Sequence, residues 1–234
     1  MATRQILAER VLDYGQQHGR ALTLQAVGGV DAARRVQAGE AFDVVVLAAE
    51  AIDKLISSGA ALAGSRVDLA TSAMALAVKG GAPLPDVSSE TTLKQAVLAA
   101  RSLAFSSGPS GTHLLALFER WGISQQIQAR TVQAPPGVPV ASLITSGQAE
   151  LGFQQFSELQ GLPGITVLHP LPGAANFVTT FAGAVCSVSA RPHEAAQWLV
   201  FLASPEAAAS IRRHGMQPVK EPKNEPEIEP GAQP

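Results

Sequence analysis

Apolar residues change their spacing several times along the first sixty positions of the chain. Ile6, Leu7, Val11, Leu12 and Tyr14 recur at near-helical intervals, and Gly15 or Gly19 is placed to end that helix. LTLQAV (22–27) reads as a strand. Gly28-Gly29-Val30-Asp31 then opens a helix through AARRVQAG, closed by Gly39. FDVVVLA (42–48) is a continuous apolar run, as expected of a parallel strand covered on both faces. Residues 51–58 predict a further helix, ended by Gly59. The order helix, strand, helix, strand, helix implies right-handed βαβ crossovers and a parallel sheet.

The second half repeats the alternation. Residues 69–79 (LATSAMALAVK) form a strand-like run, and the Gly-, Pro- and Ser-rich stretch 80–89 is a loop. TLKQAVLAA (92–100) is a helix that leads into a short apolar strand, Leu103, Ala104 and Phe105. After the small-residue loop 106–112, an amphipathic helix runs to Trp121. Residues 128–132 predict a short strand, and PPGVPVASLITSG (135–147) is a second loop-to-helix unit with Gly137 and Pro139 at its start. AELGFQQ (149–155) and VTTFAGAVCSV (178–188) read as strands, and 205–214 as a last helix capped by Ser204. The Pro/Glu-rich tail 219–234 lacks apolar periodicity and is expected to be disordered.

Composition narrows the function classes. The chain has 234 residues, 46% apolar and 15% charged, enough for an ample α/β core. A net charge of −2 with scattered Lys and Arg excludes a nucleic-acid stripe or a polybasic membrane patch. No run approaches the ~18 apolar residues of a membrane span. The first fifteen residues carry acidic groups and helical periodicity rather than the apolar centre of a signal peptide, so no export signal is expected. Cys186, the single cysteine, cannot form an internal disulfide and reads as a buried packing thiol.

Candidate chemistry concentrates at helix starts. Residues 106–112 (SSGPSGT) leave backbone N–H groups uncovered, and Ser110 and Thr112 add hydroxyls where the helix dipole favours an anion. The turns 28–31 and 137–140 share this small, unblocked character. If the three converge on one crevice at the strand ends, a small anion is their natural guest. The 106–112 loop has no P-loop lysine, and Ser110 is followed directly by Gly111, which rules out a nucleophile elbow. His18, His113, His169, His193 and His214 are too widely spaced for a metal site, so neither metal nor cofactor is expected. His113 lies in the first turn after the loop, and Asp31 and Glu50 each follow a strand. These three are the available proton carriers. Gln154 and Gln155 end a strand and could present amides to a ligand.

Four blocks, residues 28–48, 106–123, 137–159 and 203–218, occur in an order that resembles type II periplasmic substrate-binding proteins of the molybdate-binding branch, which includes aconitate isomerase-like proteins. The resemblance implies a two-lobed α/β fold with a ligand closed between the lobes by a two-segment hinge. Residues 1–75 plus about 176–218 would form the first lobe and 76–175 the second. It further implies that the anion is held at Gly29, Val30, Ser107, Ser110, Gly111 and Val138. Thr3, Thr112 and Gln154 would lie at the same cleft. Partners would be a small oxyanion or carboxylate and an ABC transporter permease, in the periplasm. The alternative within this branch is an isomerase acting on a small polycarboxylate, with Asp31 and His113 as its acid–base pair. Two departures stand out. The Ser-rich turn of molybdate binders is replaced by Gly28-Gly29-Val30-Asp31, and the strand with which relatives begin would precede residue 1.

Overall fold

The computed structural model describes residues 2–135 and 137–219, so the tail from residue 220 lies outside the described residues. Helices α1 (Arg4–His18), α2 (Gly29–Gln37), α3 (Ala49–Ser57), α4 (Glu90–Ala99), α5 (Pro109–Arg120), α6 (Ser124–Ile127), α7 (Val140–Thr145), α8 (Phe156–Leu159), α9 (Pro192–Leu202) and α10 (Ala208–Arg213) alternate with eight strands. These are β1 (Val44–Ala48), β2 (Val67–Lys79), β3 (Leu103–Phe105), β4 (Thr131–Gln133), β5 (Leu151–Gln155), β6 (Ile165–Leu168), β7 (Val178–Val185) and β8 (Gln217–Pro218). Hydrogen-bonded strands follow the order β1-β7-β2-β5-β3-β4, with β6 and β8 also paired to β2.

Strand β2 is the spine of the molecule. Its first part pairs antiparallel with β7 as far as Ala73, and from Met74 it pairs antiparallel with β5. Around the first part, Val36, Ile52 and Leu55 of α2 and α3 cover one face of the sheet, packing on Val45, Leu47 and Ala184. Leu7, Tyr14, Trp198 and Leu199 of α1 and α9 cover the other, against Leu69 and Val185. Around the second part, Leu93, Val97, Leu114 and Phe118 of α4 and α5 pack on Met74, Leu76 and Phe153. Val140, Ile144 and Leu159 of α7 and α8 cover the opposite face, against Ala75, Ala77 and Ala104. A strand sandwiched this way is buried on both sides, which is why Met74 to Val78 is an unbroken apolar run.

The sheet is mixed, not the parallel sheet that the alternation predicts. Only β3 pairs in parallel, with β4 and β5. Val44–Ala48 instead pairs antiparallel with β7, a strand that comes more than a hundred residues later. LTLQAV (22–27) is not a strand. Leu24 is exposed and Leu22 only packs partly against the α1–α9 layer. A strand persists when its N–H and C=O groups enter a ladder, and 22–27 pairs with no strand among the described residues. The strand expected at 128–132 begins at Thr131, after a short 3₁₀ turn over Gln128–Arg130. The last helix starts as a 3₁₀ turn at Pro205–Ala207, and Ser204 supplies no side-chain cap. Helix α9 went unread in the sequence, although Pro192 in its first turn and Ala195, Trp198, Leu199 and Leu202 along one face announce it.

Candidate functional site

The starts of α2 and α7 face each other across the two halves of the sheet. A methyl group built on Gly28 would lie 4.0 Å from the backbone nitrogen of Gly137, and one on Gly29 would touch Leu47 Cδ2 at 3.7 Å. The loop leading to α7 is in turn tied to the α5 loop, because Ala134 N–H donates to the Phe105 carbonyl at 2.8 Å. Turn 28–31 therefore lies beside the start of α7, and the segment before α7 is tied to the end of β3, from which the α5 loop leaves.

What each turn offers differs from what its composition promises. At α2, Gly28 is the N-cap without side-chain cover, and the first helical hydrogen bond is Ala32 N–H to the Gly28 carbonyl at 2.9 Å. The N–H groups of Gly29, Val30 and Asp31 precede it and lack a partner among the described residues, as a helix start dictates. The α7 start is closed by comparison. Val138 N–H donates to the Pro135 carbonyl at 3.0 Å, and Val140 N–H donates to Gln154 Oε1 at 3.0 Å. Val138 and Gln154, expected as ligand donors, thus spend these groups on one another's neighbourhood. The buried Gln154 acts as a side-chain cap reaching over from β5.

At α5, the Ser110 hydroxyl is buried and 3.1 Å from that of Ser106, so it braces the loop rather than projecting from it. Gly111 is small for a packing reason: a Cβ there would come within 1.8 Å of the Ser106 carbonyl oxygen and 2.9 Å of Phe105 Cδ2. Gly111 and Thr112 N–H groups both donate to the Gly108 carbonyl, while the Thr112 residue is exposed. Ser107 is half-buried on the loop. Thr3, the N-cap of α1, lines a narrow apolar gap with Ile6, Leu69 and Ile211.

The expected proton carriers are also placed. Asp31 stands in the first turn of α2, ion-paired with Arg34 at 3.1 Å on a solvent-facing surface. His113 is stacked on Phe177 at 4.1 Å between ring centroids, and its Nε2 lies 2.9 Å from the Ala174 carbonyl. Ala174 N–H in turn donates to Glu90 Oε2 at 2.9 Å, and Trp121 Nε1–H donates to Glu90 Oε1 at 2.7 Å. These bonds hold the Glu90 carboxyl below the usual carboxylate range. His113 therefore clamps the segment entering β7. Glu50 is exposed at the start of α3. Cys186 is fully buried after β7, and burial pushes its thiol up to about 11.

Glu158 lies half-buried in the short helix α8, four residues after Gln154. Burial pushes its carboxyl above the usual carboxylate range. Nearby, Gln155 Nε2–H donates to Thr179 Oγ1 at 2.6 Å, bridging β5 and β7, while Gln155 Oε1 and Ser157 Oγ are buried without a partner among the described residues. A separate cavity of about 270 Å³ opens at the crossing of β2 and β7, lined by Thr71, Phe156, His169 and Gln217 among others. It contains none of the expected site residues.

A family model described as bacterial extracellular solute-binding protein matches residues 1–217. The chain belongs to that family. As a solute-binding protein it has the two-lobed type II fold: it superposes on the periplasmic molybdate-binding protein of Azotobacter vinelandii with a TM-score of 0.76 at 22% identity, covering 92% of this chain and 95% of that one. The tungstate-binding protein of Desulfovibrio alaskensis gives 0.63 at 15% identity, over 88% and 87% of the two chains. Among curated proteins, an aconitate isomerase from Pseudomonas sp. is 40% identical over 186 residues, 79% of this solute-binding chain and 71% of that enzyme. Among the described residues no helix is long and apolar enough to cross a membrane.

Proposed function

We propose that the crevice between the two halves binds a small polycarboxylate of the aconitate type and that the protein interconverts its double-bond isomers. The observation that carries this reading is the 40% identity to an aconitate isomerase across most of the chain. The lobes on either side are taken as residues 1–75 with 176–218, and 76–175, hinged where β2 and β7 cross. Gly29 and Val30 offer the backbone donors of a helix start to one carboxylate. Ser107 and Thr112, from the α5 loop, would approach another. The turn 28–31 carries Asp31 and no hydroxyl, which suits a carbon acid better than a bare tetrahedral oxyanion. Isomerisation needs only a 1,3-shift of a proton along an allylic unit activated by its carboxylates, so acid–base groups suffice.

A second reading, delivery of a bound anion to an ABC-type permease, is favoured by the solute-binding family match over residues 1–217. Proton NMR of trans-aconitate with the full chain in deuterated buffer separates the two. Isomerisation, with deuterium entering the allylic positions, is the expected result. Saturable binding with no isomerisation and no deuterium incorporation over hours would leave capture alone.

A further inference from the structure

We propose that the cavity at the crossing of β2 and β7 is a second ligand site, built for a small organic acid with a carboxylate at one end and an apolar body. The inference does not depend on the isomerase reading, since no residue of turns 28–31, 106–112 or 137–140 lines this cavity. Strand register places it. Ala73 pairs with Val178 and Thr71 with Thr180, so the side chains of Thr71, Ala73 and Val178 leave the strands on one face. Ser72 and Thr179, paired between them, point to the other face, where Thr179 Oγ1 accepts from Gln155. The rest of the wall comes from both halves of the molecule. Phe156, Gln160 and His169 follow β5 and β6, which pair with the second part of β2. Arg212, Gly215 and Gln217 belong to α10, β8 and the turn between them, and β8 pairs with the first part of β2 at Ala70 and Thr71.

The charge of the lining is one-sided: it includes Arg212 and His169 and no Asp or Glu. Arg212, Arg213 and His214 are consecutive basic residues, but only two of them are neutralised. Glu9 pairs with Arg213 and, at 2.9 Å, with His214. Arg212 forms no ion pair among the described residues, which leaves its planar fork free for a carboxylate. Thr71, Gln160 and Gln217 add a hydroxyl and two amides. The other walls are apolar: Ala73, Val178 and the ring of Phe156, stacked on His169 at 4.5 Å between centroids. An inorganic anion would leave those walls facing water, whereas an acid with a hydrocarbon body covers them. The volume of about 270 Å³ falls just under the roughly 300–1,000 Å³ of drug-sized sites, so the guest is small. One side of the cavity is tightly closed. A Cβ on Gly215 would lie 2.2 Å from Gln160 Oε1 and 3.2 Å from Phe156 Cδ1, so α8 rests directly on the turn before β8. Gln160, His169, Arg212 and Gln217 remain exposed, which keeps the cavity reachable from solvent.

The probe is benzoate, titrated calorimetrically into the full chain near neutral pH, with sulfate in parallel. One-to-one binding of benzoate to wild type is expected. Arg212→Gln should weaken it at least ~10-fold, because a charge-assisted hydrogen bond is lost, and Arg212→Lys should retain part of the affinity. Val178→Trp, at an exposed position of the wall, should abolish binding by filling the cavity while the melting temperature stays at the wild-type value. Benzoate binding that survives both Arg212→Gln and Val178→Trp overturns the site. Sulfate bound as tightly as benzoate overturns the assignment to an organic acid. Trans-aconitate titrated into Arg212→Gln should bind as it does to wild type, and its loss there would make this cavity the primary site and overturn a second one. No heat from benzoate in wild type, with trans-aconitate still bound, removes the proposal and leaves the isomerase reading standing.

Discussion

Gly111 and Ser110 decide whether the α5 loop closes at all. With a Cβ at position 111 placed 1.8 Å from the Ser106 carbonyl oxygen, backbone must shift. Gly111→Ala is therefore expected to cost at least ~2 kcal/mol in urea unfolding, at the upper end of overpacking effects. Ser110→Ala leaves Ser106 without its hydroxyl partner and should cost about 1 kcal/mol of stability. An intact stability with weakened anion binding would instead return Ser110 to a direct ligand role. Glu158 sets a pH dependence. Its folded-state carboxyl is raised above the unfolded value, so the native protein holds a proton that the unfolded chain releases. Stability is then greatest below the ordinary carboxylate range and declines as pH rises through the raised folded value. Glu158→Gln should flatten that decline in a series of melting curves, and parallel curves for the two proteins would contradict it.

At the scale of elements, helix α5 and the segment entering β7 are held by a short relay. Glu90 accepts from Ala174 N–H, and the Ala174 carbonyl meets His113, whose ring lies on Phe177. His113→Ala removes a hydrogen bond and a stacked ring. It should lower stability by about 1–2 kcal/mol in urea unfolding and speed hydrogen exchange around 174–178, whereas unchanged exchange there would dismiss the relay. The same elements show what the residue pattern could reveal. Turns 28–31 and 106–112 and their helices were legible because small residues before an apolar helical stripe have a local cause. The pairing of β1 with β7 was not legible, since nothing in 42–48 encodes a partner at 178–185. LTLQAV has the alternation of a strand, but a strand also needs a neighbour. The hydrogen bonding of Gln154 was not legible for a similar reason: whether a group is engaged depends on a contact between positions 140 and 154.

For the whole molecule, the two halves meet where Gly28 approaches Gly137, and β2 and β7 cross between them. The outer edge of β1 is a second feature at this scale, because among the described residues Val44–Ala48 is paired on one side only. Unpaired ladder groups beside an apolar strand invite another strand. The central claim, that the crevice takes a polycarboxylate, is tested most directly by calorimetric titration of the full chain with trans-aconitate and, in parallel, with molybdate. Saturable one-to-one binding of trans-aconitate with no heat from molybdate is the predicted result. Tight molybdate binding with no response to trans-aconitate would contradict the account.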